Sequence, residues 1–322
     1  MFSTGIKFLA ALVLGAAVGA ANAAGFPDRA ITLVTPFPAG GATDALARTL
    51  AEHMAKTLGQ SVVVENRAGA ATNIGAAHVV RSAPDGYTIL LATNSTLVTN
   101  RFLFKELPYD PDAFAPIGMI GIGPMVLLTS KKDRFKSLAD VVEIAKARPG
   151  ALTIASFGAG TSSHLAAEYF QELANIKLLH VPFKGSTHAL PQIINGDIDL
   201  FFDMVSTGMP QVNADKVDVQ AITSKQRMST LPDLPTVAES GHPGFEITAW
   251  FTLVAPPGTP QSATNALNAA LKAALADDAV RQRMLVMGIE PSDGSPEALI
   301  LQVKQEIPII QSLVKRANIV VQ

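Results

Sequence analysis

From Ile31 onward, short runs of β-branched residues alternate with stretches of helical periodicity. The run ITLVTPF (31–37) predicts a strand, after which Leu46, Leu50, Met54 and Leu58 recur at every fourth position, as on the buried face of a helix. SVVVEN (61–66) predicts a second strand, residues 73–82 a helix, and TILLAT (88–93) a third strand. Strand, helix, strand, helix, strand is the order of a parallel sheet with helices covering both faces.

A Pro-rich connection, LPYDPDAFAP (107–116), leads through the apolar stretch 117–128 into a second series of the same kind. It predicts a helix over 137–147, strand 152–157, helix 163–174, strand 177–183, helix 187–195, strand 199–204, a short helix near 206–214 and strand 219–224. After the Leu- and Pro-rich loop 230–245 come a strand over 246–256 and Ala/Leu-rich helices. The pattern therefore predicts two similar α/β halves in one chain. The last helical segment, 296–316, contains Pro308, which removes a backbone donor and crowds the preceding turn, so a kink or break is expected near Ile307.

The first residues follow a different rule. Lys7 is followed by an unbroken small-and-apolar run from Phe8 to Ala21, shorter than the roughly 20 residues a bilayer span requires, and Ala21-Asn22-Ala23 supplies small residues before a cut. Residues 1–23 are read as a cleaved secretory signal, with the mature chain starting at Ala24. No later apolar run is long enough for a span, so the mature protein is expected to be exported and not embedded in a membrane.

Composition narrows the chemistry. With 25 Lys+Arg against 27 Asp+Glu in 322 residues, the chain is too balanced for an obvious nucleic-acid binder, and 48% hydrophobic against 16% charged residues is too apolar for disorder. The chain has no cysteine, which excludes a thiol nucleophile, a cysteine-held metal and any disulfide. The histidines show no metal-ligand spacing, and no elbow, phosphate-loop or zinc-protease motif is present. No metal, cofactor or catalytic residue is expected.

Candidate chemistry concentrates in four strand-to-helix turns: PFPAGGATD (36–44), ATNST (92–96), FGAGTSSH (157–164) and PFKGSTH (182–188). Ligands of open parallel sheets bind beyond the carboxyl ends of strands. Glycine lets backbone approach a ligand, Ser and Thr add hydroxyl donors, and the first-turn amides of each following helix lack internal partners. Such amides, with the helix dipole, form an anion site without Lys or Arg. The alternative for any one turn is an ordinary connection whose polar residue caps the helix. Asp44 either orders the first loop by accepting backbone amides or is a favourable acid in a first helical turn. Asp203 either meets a ligand ammonium group or caps the next helix. Lys184, the only cation in these loops, points into a cleft or into solvent. His164 beside Ser162 and Ser163 raises a nucleophile–base reading, which sequence adjacency alone does not support.

These segments resemble the substrate-binding proteins of tripartite tricarboxylate transporters, the Bug family. The resemblance covers nearly all of the mature chain: PDRAITLVTPFPAGGATDALAR (27–48), VVVENRAGA (62–70), PDGYTILLA (84–92), LPYDPDAFAPI (107–117), VPFKGSTHALPQIINGDID (181–199), LPDLPTVAESGHPGFEITAW (231–250) and APPGTP (255–260). Ala42 stands where many members have Ser, Ala71 and Thr72 replace a more Gly-rich run, and Thr252 stands where Gly often occurs.

The resemblance implies a two-lobed α/β periplasmic-binding-protein fold of type II-like form, each lobe a mostly parallel sheet flanked by helices. The lobes are expected at 24–123 with 224–322, and at 124–223, closing on the ligand in the manner of a Venus flytrap. It implies a periplasmic protein, expected as a monomer, that captures a small organic carboxylate and delivers it to the membrane subunits of a transporter. Carried onto this chain, the ligand-binding positions are Phe37, Ala39, Gly40, Gly41 and Asp44 in the first loop, with Thr93, Asn94 and Ser95. The second half contributes Gly160, Thr161, Ser162, His164, Phe183, Lys184, Gly185 and Asp203. Two other functions remain open from the sequence: a periplasmic sensor that signals through a kinase, and a hydrolase using Ser163 and His164.

Overall fold

The computed structural model describes residues 25–131 and 135–316. The expected signal peptide, 1–23, lies outside these residues. Three strands open the fold, β1 (Ile31–Thr35), β2 (Val62–Asn66) and β3 (Thr88–Thr93), parallel and in the order β2–β1–β3. They are joined by α1 (Ala42–Leu58) and α2 (Asn73–Val80). Leu46, Leu50 and Met54 are wholly buried, so the four-residue repeat is the face α1 turns to the sheet, while Leu58 is only partly covered at the helix end. After β3 a wide helical turn over Ser95–Thr99 runs into α3 (Asn100–Leu103).

The strand β4 (Ala115–Ser130) comes next. The second half of the chain then repeats the opening: α4 (Leu138–Ala147), β5 (Thr153–Ser156), α5 (Ser162–Ala174), β6 (Leu179–Pro182), α6 (Ser186–Asn195), β7 (Leu200–Met204), α7 (Val205–Asn213) and β8 (Val217–Ile222). Strands β5, β6 and β7 are parallel in the order β6–β5–β7. Every residue of β7 is buried, as expected of a parallel strand covered on both faces. The chain closes with β9 (Thr248–Ala255), α8 (Gln261–Ala276), α9 (Asp278–Val286), the two-residue β10 (Glu290–Pro291) and α10 (Pro296–Arg316).

β4 belongs to both sheets. From Ala115 to Pro124 it pairs antiparallel with β9, which itself lies antiparallel to β3. From Met125 to Ser130 it pairs antiparallel with β7 on one side and β8 on the other. The partner changes at Pro124, which has no N–H to give to a ladder. The returning chain crosses at the same level. Thr223 accepts the Met125 N–H on its hydroxyl at 2.8 Å and donates its own N–H to the Met125 carbonyl at 2.9 Å. Two adjacent passages of chain thus join two α/β halves.

The expected break near Ile307 is absent: α10 runs through Pro308 as one helix. Proline in a helix interior forfeits one backbone bond, but tertiary packing offsets that here. Ile310 and Leu313 are buried on one side of it, and the Glu306 carboxylate on the other accepts the Trp250 indole N–H. Among the described residues no helix is long and apolar enough to cross a membrane.

Candidate functional site

Residues just beyond the carboxyl ends of β1, β3, β5, β6 and β7 line one crevice with an empty volume of about 490 Å³, mouth included. Phe37, Phe157, Met204, Ala249 and Phe251 give it apolar walls, and between them stand backbone and hydroxyl groups from Gly41, Thr43, Ser162, Gly185 and Ser186. Among the described residues, no Lys or Arg lines it. Any attraction for an anion must therefore come from amides, hydroxyls and helix ends.

The first loop is held open by Asp44. Its Oδ2 accepts the Gly40 N–H and the Arg48 Nε–H, each at 3.0 Å, and its Oδ1 accepts Asn66 Nδ2 at 3.0 Å. Asn66 also donates to the Phe37 carbonyl at 3.1 Å, closing the loop from its other end. Gly40 sits at φ +81°, in the left-handed region where glycine is favoured. Burial opposes ionisation of Asp44, but the bonds from Arg48, Gly40 and Asn66 together outweigh it and hold the carboxyl below its ordinary range. Gly41, at the helix N-cap, brings no side chain to the first-turn amides of α1. Asp44→Asn is expected to cost about 1–2 kcal/mol, the value of hydrogen bonds to a charged group less what an amide still makes. Because the folded carboxyl titrates low, that contribution is present above the ordinary value of 3.8 and is lost as pH falls below it. Urea midpoints of the two proteins should therefore differ at neutral pH and converge in acid.

The second half offers matching geometry. Thr161, Gly185 and Met204 precede α5, α6 and α7, and none of them caps its helix with a side chain. By contrast, α4 and α9 are capped by Ser137 and Asp277, both away from the crevice. Thr161 instead gives its hydroxyl to the Gly158 carbonyl at 2.7 Å. The two halves approach closely: a Cβ at Gly185, on the crevice wall, would come within 3.3 Å of Pro38 Cδ, and one at Gly160, off the wall, within 2.7 Å of Leu103 Cδ1.

Seven of the sixteen residues predicted from the sequence lie on the crevice wall: Phe37, Gly41, Thr93, Asn94, Ser95, Ser162 and Gly185. Thr161, Phe183 and Lys184 line an adjoining recess of about 310 Å³, which Phe37 also reaches. Ala39, Gly40, Asp44, Gly160, His164 and Asp203 line neither. Asp44 and His164 stand behind their loops: His164 Nδ1 accepts the Gly160 N–H at 3.0 Å, and its ring stacks on His180 at 3.9 Å. Burial, then the His164 ring beside it, pushes His180 down to about 3. The recess is edged by Ala70, Ala71 and Thr72 at φ 45°, 50° and 79°, three left-handed non-glycine residues in the segment where the sequence lacks a Gly-rich run. Left-handed backbone costs about 1–2 kcal/mol per such residue. Asn100 holds it there, donating to the Ala71 carbonyl at 2.7 Å.

Two carboxyl groups, one half-buried and one buried, bond to residues of the wall. Asn94 donates to Glu306 Oε1 at 3.3 Å. Burial raises Glu306, against the bonds from Trp250, Asn94 and Gln302. Ser186 donates to Asp203 Oδ1 at 2.5 Å. Sequence reasoning missed Ser186 and Thr187, although both follow Gly185 in a loop it singled out. It also missed Ala249 and Phe251, which reach the crevice only because β9 lies against β3 with Phe251 opposite Thr93.

The nucleophile–base reading fails on geometry. Ser163 is wholly buried and donates its hydroxyl to the Phe202 carbonyl at 2.6 Å. His164 has its Nδ1 engaged by a backbone amide and its Nε2 3.5 Å from Glu168.

Known proteins share this architecture. Residues 46–319 match the family model described as the tripartite tricarboxylate transporter family receptor. A Rhodopseudomonas palustris protein solved with adipate is 35% identical with a TM-score of 0.89, the match covering 92% of this chain and 100% of that one. MatC from Rhodopseudomonas palustris with bound malate is 34% identical, TM-score 0.84, over 90% and 100%. The periplasmic binding protein BugD is 38% identical, TM-score 0.87, over 91% and 99%.

Proposed function

The chain belongs to the tripartite tricarboxylate transporter receptor family, and from that premise we propose that it captures a small organic carboxylate in the crevice between its halves and delivers it to a membrane permease. The family and its solved neighbours are solute-binding proteins, not enzymes. The observation that carries the reading is the convergence of the uncapped starts of α1, α5 and α6, which bring Gly41, Ser162 and Gly185 to one crevice with no Lys or Arg on its wall among the described residues. Neighbours solved with adipate and malate, two organic acids, support the same ligand class.

In this reading the carboxylate sits on the first-loop amides, with hydroxyls of the second half completing the site, and the apolar wall takes the hydrocarbon part. The lobes are 24–123 with 224–322, and 124–223, a division supported by the change of β4 partners at Pro124. The close approach of Gly160 to Leu103 and of Gly185 to Pro38 supports reading this arrangement as a closed form. Ligand then shifts an open–closed equilibrium by making contacts that only the closed form completes. The exported, periplasmic setting is part of the same proposal, supported by the family and by the leader read from the sequence at 1–23.

Native mass spectrometry of the purified protein, followed by calorimetry on the stripped chain with adipate, malate and tricarboxylates, tests this. At least one acid should bind with micromolar affinity, about −8.2 kcal/mol, and at a hundredfold excess over Kd should stabilise the fold by about 2.7 kcal/mol. Its uncharged amide should do neither. Binding of neutral analogues with none by any acid would overturn the proposal.

A further inference from the structure

Asp203, next to the last residue of β7, is 0% exposed. Its Oδ1 accepts the Ser186 hydroxyl at 2.5 Å, and its Oδ2 has no partner among the described residues. Ser186 itself lies on the crevice wall as the first residue of α6. Thr207 stands 3.3 Å from the same hydroxyl oxygen and 3.2 Å from the Met204 carbonyl. A buried acid is thus separated from the ligand space by one hydroxyl group.

That hydroxyl has one hydrogen. With Asp203 ionised, the hydrogen is committed to Oδ1, and Ser186 turns only lone pairs towards the crevice, which an anion meets as repulsion. With Asp203 protonated, its own O–H can donate to the Ser186 oxygen, freeing the serine hydrogen to donate to a ligand oxygen. A second negative charge one hydroxyl away also opposes ionisation of a desolvated carboxylate directly. Both effects favour the proton whenever an anion docks. An ammonium group would favour the opposite state, but Ser186 opens a helix whose N-terminus has no side-chain cap, the end that attracts negative charge.

We propose that Ser186 and Asp203 link capture to proton uptake: as an anionic group of the ligand docks on Ser186, Asp203 takes one proton from the solvent buffer. The proposal rests on the reading of the crevice as a carboxylate site. Among the described residues, the surrounding elements bring no charged side chain that shifts Asp203. α6 brings Ser186, α7 brings Thr207 and the junction amide of Met204, and β4 brings Val126 opposite. His164, His180, Lys184 and His188, carried by α5, β6 and the two sides of Ser186, are not among the groups that shift it. Burial, only partly offset by Ser186, Thr207 and the Met204 amide, raises its carboxyl to about 7, so the proton is exchangeable in the neutral range.

Calorimetry with adipate and with L-malate as probes, in two buffers of different ionisation enthalpy, reads the proton directly. Wild type should take up about half a proton on binding at pH 7 and close to one above it, with affinity falling about tenfold per pH unit above that point. Asp203→Asn should bind with no uptake and a flat pH profile, whereas Glu306→Gln should retain the uptake. An infrared difference spectrum of the wild type should gain a protonated-carboxyl stretch on ligand addition, a readout that needs no variant to fold. Binding with zero uptake, uptake that survives in Asp203→Asn, or uptake lost in Glu306→Gln instead overturns the inference and leaves the carboxylate reading standing. Failure of both probes and of every other acid to bind removes both.

Discussion

Between pH 4 and pH 7 the wild-type chain should lose roughly 4 kcal/mol of folding stability relative to Asp203→Asn. In the folded chain burial keeps the Asp203 carboxyl protonated up to about 7, against an ordinary value of 3.8. Below 3.8 both folded and unfolded chains hold the proton. Between the two values only the folded chain holds it, so stability falls as pH rises, and above about 7 the cost is complete and constant. The group is wholly buried, so solvent screening does not shrink the effect. Glu306 pulls in the same direction, and Asp44, Asp277 and Asp293, whose carboxyls are held low, pull the other way. All of them are common to both proteins and cancel in the difference. Denaturant midpoints measured on both proteins across this range would run parallel if Asp203 were solvated or paired, and that result would remove the buried acid from the account.

Gly160→Asn should weaken ligand binding about 5- to 150-fold, corresponding to 1–3 kcal/mol of overpacking felt in one state only. A Cβ at this position would meet Leu103 Cδ1 of the other half at 2.7 Å. Leu103 is buried, so it cannot simply turn outward. Gly160 sits at φ +85°, and Asn is among the side chains that tolerate that region best, so the backbone strain stays small and is shared by the open and closed forms. The clash exists only when the halves are together. Loss of affinity without a matching loss of stability, relieved by Leu103→Ala in the same chain, is the expected signature. Equal losses in both, or no relief in the double variant, would show that closure does not bring these residues together.

The sequence carried the local part of this architecture and not the long-range part. The spacing of Leu46, Leu50 and Met54 gave the buried face of α1, because helical periodicity is a property of neighbours. Nothing in β9 announces that it enters between β3 and β4, since an apolar run pairs equally well with many strands, and so Phe251 and Ala249 were invisible as crevice residues. Asp44 was legible as two options, and the structure displays both: it stands in the first turn of α1 and orders the loop through Gly40 and Asn66. For Asp203 both options missed the geometry. It neither lines the crevice nor caps α7, because its carboxyl turns to Ser186 on a helix reached by a separate strand. At Pro308 the break allowed by the sequence did not form, because a helix-breaking residue was judged without the packing that keeps its helix continuous.

A strand shared by both sheets decides where this molecule can be recombined. A graft that imports the second half from a relative has two seams, one at Pro124–Met125 and one at Thr223. The paired bonds between Met125 and Thr223 place these seams side by side. A chimaera joined there inherits one intact bracket for both seams, whereas a cut anywhere else along β4 splits a ladder that two neighbours depend on. The crevice loops of the second half, those around Phe157, Ser162 and Gly185, can therefore be exchanged as one cassette, while the loops after β1 and β3 stay with the recipient.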